Sequence, residues 1–169
     1  MSESQKKQAE LTALRLLAAS PKTRLQLSQK LLSKGYPRTV VEETLGRLEE
    51  QGLLNDRAFA KDLIAKWVHV KPSGIRKISF ELKRRGISAK VREELLAELS
   101  PEAEGGRARE LARAQWEAWS RLPEERRRKK VYDFLARRGF DFEVVRNLIE
   151  ELEAGGKRQE AGGRAEYVD

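Results

Sequence analysis

The stretch KLLSKGYPRTVVEETLGRL, residues 30–48, reads as one helix, a stop at Gly35-Tyr36-Pro37, and a second helix. Nearly the same stop returns twice, in ELKRRGISAKVREELLAEL at 81–99 and in FLARRGFDFEVVRNLIEEL at 134–152. Aligned on Gly35, Gly86 and Gly139, the three stretches share one apolar register. Leu31, Leu82 and Leu135 stand four residues before the glycine, and Tyr36, Ile87 and Phe140 one after it. Val40, Val91 and Val144 stand five after, and Leu48, Leu99 and Leu152 thirteen after. Pro21, Pro72 and Pro123 recur every 51 residues, while the glycines are 51 and then 53 apart. A period of this size signals tandem supersecondary units.

Each unit reads as three helices. The first ends before the proline (10–19, 56–70 and 107–120), with Asn55 as the N-cap of the second of these. The middle helix runs from just after the proline, which pre-sets its first turn, to the glycine, which takes the left-handed conformation. The third covers about 38–51, 89–99 and 141–153, with a single apolar stripe. Tyr36, Ile87 and Phe140 then plug the corners as core residues. The expected fold is all-α: three tandem three-helix repeats in an elongated, straight or curved arrangement. The boundaries are a flexible N-terminus at 1–9, repeats at 10–52, 53–102 and 103–153, and a flexible tail at 154–169, which is glycine-rich and poor in apolar residues.

Composition agrees with helix. Glu, Arg, Leu, Ala and Lys abound and β-branched residues are sparse. Cysteine is absent, which rules out disulfides and thiolate metal sites and suits a reducing cytoplasm. No apolar run approaches a membrane span, and MSESQKKQAE carries no signal-peptide core.

The formal charge of +8 is distributed unevenly. Each middle segment (21–34, 72–86, 123–138) carries a net +4, whereas the third helices carry −2, −1 and −4. Units stacked in one orientation would line up the basic helices as a positive stripe suited to a polyanion. The candidate nucleic-acid or filament-binding residues are Arg24, Lys30 and Lys34; Arg76, Lys77, Lys83, Arg84 and Arg85; and Arg126, Arg127, Arg128, Lys129, Lys130, Arg137 and Arg138. The competing reading is structural. Lys34, Arg84, Arg85, Arg137 and Arg138 stand in last helical turns, where the helix dipole favours cations. The Arg126–Lys130 run exceeds one helical turn, so it cannot all share a face.

Signs of catalysis are missing. There is no phosphate-binding loop motif. His69 is the single histidine and reads as an ordinary helix-end residue. Glu42 and Glu43 stand at pairing distance from Arg47 along a helix. Trp67, Trp116 and Trp119 all lie on first helices, where tryptophan is more often core than a base-stacking platform. No cofactor, metal or catalytic residue is expected.

Residues 10–153 resemble the RecX family, the regulators of the RecA recombinase. The resemblance rests on Gly52-Leu53-Leu54-Asn55-Asp56-Arg57-Ala58-Phe59-Ala60 between units one and two. Lys34-Gly35-Tyr36, Gly74, Arg85-Gly86-Ile87, and Tyr132, Phe134, Leu135 and Arg138-Gly139-Phe140 add to it. The family often has a second acid where this chain has Asn55. The resemblance implies an all-helical protein of three repeats without enzymatic activity. It implies binding to RecA, to its nucleoprotein filament in the filament's groove, and to single- and double-stranded DNA without sequence preference. Inhibition of recombinase activity in DNA repair, recombination and the SOS response would follow, by a monomeric cytoplasmic protein. The competing functions are a sequence-nonspecific DNA-binding or architectural protein with no recombinase partner, and a tandem helix-turn-helix transcription factor. The acidic third helices favour the recombinase regulator, since a pure phosphate binder gains little from them.

Overall fold

The computed structural model describes the backbone of residues 3–162 and the side chains of residues 3–155. Its described residues form nine α-helices and no strand: α1 (Glu3–Ala19), α2 (Arg24–Ser33), α3 (Arg38–Glu50), α4 (Asp56–Ala65), α5 (Ile75–Arg84), α6 (Ala89–Ala97), α7 (Pro101–Ala118), α8 (Glu124–Arg137) and α9 (Phe142–Gly162). A π-helical turn, Lys66–Val70, follows α4. The expected three-by-three helical repeat is therefore the fold.

The chain divides into two compact units. One comprises residues 1–65 with 79–96, the other 66–78 with 97–169. In the first unit, α1, α2 and α3 pack on one another around Leu27, Leu31, Val41, Leu45, Leu48 and Leu54. In the second, α7, α8 and α9 do the same around Ala112, Trp116, Val131, Leu135, Phe140 and Ile149.

The glycine stops are as expected. Gly35, Gly86 and Gly139 have φ of 86°, 82° and 77°, in the region that side chains with a Cβ disfavour. At each, the glycine N–H bonds the carbonyl three residues back and the next N–H bonds the carbonyl five back. Gly86 N bonds Lys83 O at 2.9 Å, and Ile87 N bonds Leu82 O at 3.1 Å. This pairing satisfies the last carbonyls of α2, α5 and α8. Ile87 and Phe140 are buried, and Tyr36 packs against the first core while its hydroxyl meets that of Thr12 at 2.9 Å. Gly52 makes the same turn after α3, with φ 73°; its lack of a matching glycine in the other units hid it.

Several boundaries differ from the sequence reading. α1 begins at Glu3, inside the segment expected to be flexible, because Ala9 is fully buried and Lys6 pairs with Glu43 at 2.7 Å. α7 begins at Pro101, where the Ser100 side chain accepts the Ala103 N–H and proline fits the first turn. α9 runs on to Gly162, past the expected end at 153; extending an existing helix costs far less than starting one. Residues 163–169 of the expected tail lie outside the described residues, as do Met1 and Ser2. The first helix of the second repeat widens at Lys66, where Lys71 N–H reaches the carbonyl five residues back at 2.9 Å.

The prolines are displaced as well. Pro123 directly precedes α8, but Pro21 and Pro72 stand three residues ahead of α2 and α5. The reason is local. The first N–H of α2, on Arg24, donates to Asp56 Oδ1 at 2.7 Å, and the first N–H of α5, on Ile75, donates to Glu104 Oε1 at 2.8 Å. A proline there would delete the donor. Thr23 caps α2 in a capping box with Gln26, and Asn55 caps α4 by accepting the Ala58 N–H at 2.9 Å.

Candidate nucleic-acid and filament interface

The middle helices α2, α5 and α8 carry the basic residues singled out above, and their environments differ. Some of these cations are engaged within the protein. Arg24 binds Glu42 at 2.5 Å and Glu49 at 2.8 Å. Arg84 and Arg85 both bind Glu81, at 2.9 and 2.6 Å. Burial works to raise the Glu81 pKa, yet the two guanidinium groups outweigh it and hold the carboxyl below its usual value. Arg85 is thus a half-buried structural partner rather than a free surface charge.

Four more stand over aromatic rings at cation–π distance. Lys77 lies 5.0 Å from the centre of Trp67, Arg127 4.0 Å from Trp116, Lys130 5.0 Å from Trp119, and Arg138 4.6 Å from Phe134. Trp116 is buried in the second core and Trp119 packs against it, as their helical placement suggested, while Trp67 is partly buried. Arg138 also donates from Nη1 to Pro72 O at 3.0 Å. Arg128 approaches Glu153 at 3.8 Å, too long for a hydrogen bond.

The remaining candidates, Lys30, Lys34, Arg76, Lys83, Arg126, Lys129 and Arg137, are exposed. Several of the basic residues border grooves within one unit or the other. Lys30 borders a groove of about 520 Å³ with Lys22 and Gln26. Lys77, Arg137 and Arg138 border another, of about 650 Å³, with Lys71, Trp67 and Phe134. Arg126 and Lys129 line a third, of about 640 Å³, between α8 and α9. There they meet Arg146, Tyr132 and Phe142, which the sequence reading left out of the site. The missed signal was two aromatic residues following the basic run, Tyr132 and Phe142, together with Arg146 as the single cation of the acidic stretch 141–153.

Acids of α3 and α6 are paired within the protein, which weakens the argument from third-helix charge for a recombinase partner. Glu43 binds Lys6 and Arg47, the expected helical pair; Glu42 turns to Arg24 instead. Glu94 binds Arg57. The Lys6 bond, ahead of all other influences, lowers the Glu43 pKa; the Arg57 bond does the same for Glu94.

His69 is exposed at the end of the π-helical turn. Among the described residues no cluster of three His, Cys, Asp or Glu could hold a metal ion, and no helix is long and apolar enough to cross a membrane.

The sequence and the fold both have counterparts among known proteins. Residues 9–48 match the model of the first three-helix domain of RecX, and residues 104–149 match that of the third. Regulatory protein RecX of Chlorobium limicola is 37% identical over 152 residues, covering 90% of this chain and 94% of that protein. Its counterpart from Streptomyces coelicolor is 34% identical over 148 residues, covering 85% and 79%. The crystal structure of RecX from Lactobacillus salivarius superposes with a TM-score of 0.78 at 20% identity, over 90% of this chain and 99% of that one. A second crystal structure, titled regulatory protein RecX, gives 0.74 at 26% identity, over 86% and 72%. With two matched domains in register and a full-length relative above one-third identity, this chain belongs to the RecX family of regulatory proteins.

Proposed function

We propose that the protein binds the RecA recombinase and its filament on DNA and restrains recombinase activity, in DNA repair, recombination and SOS control. The observation that carries this reading is family membership over nine-tenths of the chain. The exposed cations support it. Lys30, Lys34, Arg76, Lys83, Arg126, Lys129 and Arg137 remain available for phosphates, and such contacts carry no sequence preference. The protein acts as a cytoplasmic monomer, without catalysis of its own, on single- and double-stranded DNA and on the filament.

The test is inhibition of RecA ATPase at a salt concentration that abolishes binding to bare DNA. Inhibition that persists there supports a protein-directed regulator. Loss of inhibition in step with DNA binding supports a plain DNA binder competing for the strand. Arg76→Glu with Lys83→Glu sharpens the distinction. Each lost charge contact weakens filament binding by about 1 kcal/mol, with repulsion added. Equal losses in both assays go against a recombinase-specific surface.

A further inference from the structure

Five aromatic rings among the described residues have a cation over one face, and they differ in what remains open. Trp116 is buried, and Trp67, Trp119 and Phe134 are partly buried with cations at 4.6–5.0 Å. Phe142 is 51% exposed, and its cation, Arg146, stands farthest away at 6.0 Å. Tyr132 holds the ring edge-on, with centroids 6.0 Å apart and planes at 78°. That leaves a supported aromatic surface at the start of α9, open to solvent.

The ring lines the groove of about 640 Å³ between α8 and α9, within the roughly 300–1,000 Å³ typical of ligand pockets. Arg126, Lys129 and Arg146 border it, with Glu125 the one acid among its lining residues; Arg146 also approaches Glu150 at 3.9 Å, and Arg128, beside them, approaches Glu153 at 3.8 Å. A positive rim around an exposed, braced ring is the combination that unpaired nucleotides require. Cations take the phosphates and the ring takes a base face, which a duplex keeps stacked inside.

We infer that the α8–α9 groove is a binding site for single-stranded nucleic acid, with Phe142 as its stacking platform and Arg126 and Lys129 as its phosphate contacts. This rests on the proposed function in that it assigns the DNA-binding role to one place. It goes further in giving that place a preference for unpaired strands. An acidic peptide would also meet the rim, but without an aromatic side chain it brings no π face to Phe142.

The experiment compares full-length protein and variants on a labelled oligothymidine strand and on a labelled duplex of equal length, at one salt concentration. Phe142→Ala weakens single-strand binding about tenfold and leaves duplex binding within about twofold. Phe142→Tyr retains wild-type affinity. Arg126→Ala with Lys129→Ala weakens both and lowers the single-strand salt slope by about 1.4. Circular dichroism melting checks folding; should Phe142→Ala be unfolded, Phe142→Leu keeps the apolar volume without the π face and shows the same selective loss. Equal losses on strand and duplex, or none, overturn the inference. So does a glutamate-rich peptide whose binding depends on Phe142 while strand binding does not, which assigns the groove to a protein segment. Recombinase inhibition by the wild type is scored separately. Its absence defeats the proposed function and leaves the strand preference intact, and the reverse result defeats this inference alone.

Discussion

Two junctions, one in each compact unit, are built on the same register with different atoms. In the first, the segment leading into α2 meets the end of α5; in the second, the segment leading into α5 meets the end of α8. Thr23 and Gly74 are 51 residues apart, and Arg85 and Arg138 are 53 apart, the periods of the proline and of the later glycines. Thr23 uses its side chain: Oγ1 donates to Arg85 O at 2.6 Å. Gly74 uses its backbone: N–H donates to Arg138 O at 2.9 Å, and the Arg138 guanidinium returns a bond to Pro72 O. A carboxylate from the following first helix caps the helix start in each, Asp56 on Arg24 and Glu104 on Ile75. Repetition has kept the bonds and changed the donors. The helix-ending glycines show the consequence. A Cβ on Gly86 would lie 2.6 Å from Leu25 Cβ; one on Gly139 would lie 2.5 Å from the backbone nitrogen of Lys77; one on Gly35 would meet nothing within 4 Å.

The largest expected effect tests that gradient. Gly139→Ala combines the left-handed penalty of roughly 1–2 kcal/mol with overpacking against backbone, roughly 1–3 kcal/mol. The sum is about 3 kcal/mol. Gly35→Ala, also at positive φ but with open space around it, carries the first term alone, about 1 kcal/mol. Denaturant melts of the two variants measure the difference. Equal midpoints would show that conformation alone fixes these glycines and that close approach adds nothing.

The next effect is specific to the first junction. Thr23 is fully buried, and its hydroxyl both accepts the Gln26 N–H and donates to Arg85 O. Thr23→Val keeps the shape and removes both bonds, costing about 1 kcal/mol for the cap and about 1 kcal/mol for the bond left unmade at Arg85. A melt showing about 2 kcal/mol of destabilisation supports the side-chain version of the junction. A change below about 0.5 kcal/mol, the level of an ordinary surface substitution, would mean that packing alone carries it.

The sequence made the helices and their stops legible because glycine at positive φ and a buried residue after it leave fixed marks at fixed spacing. Gly35, Gly86 and Gly139 were found this way, and Gly52, with no counterpart in the other units, was not. The junctions were invisible because their partners lie 62 or 64 residues apart and differ in type: nothing in Thr23 and Gly74 announces one role. The basic residues were legible as a charge bias and not as a site. Arg85 and Arg127 look alike in sequence to Lys83 and Arg126, yet one binds Glu81 and the other covers Trp116. Charge is a property of the residue, while availability depends on which neighbours the fold brings alongside.

The smallest expected effect is a pH trend at the first junction. Burial, outweighing the bond from Arg24 N–H, raises the Asp56 pKa above its usual value. A raised folded-state pKa means that the folded protein binds the Asp56 proton more readily than the unfolded chain. Its contribution to stability is then fully present below the unfolded value of about 3.9 and is lost as pH rises through the folded value. Asp56→Asn keeps an acceptor for Arg24 N–H and removes the titration. Both proteins lose stability in acid as Glu43, Glu81, Glu94 and Glu102, all with lowered pKa values, become protonated. That common loss cancels in the difference. Between pH 7 and about pH 3.5, the difference in stability moves toward the wild type by about 0.5 kcal/mol or less, the scale of a partly solvated charge. Urea melts of both proteins at the two pH values measure it. Movement toward Asp56→Asn on acidification would show that the charged carboxylate, not the neutral acid, is the favoured partner of the α2 N-terminus.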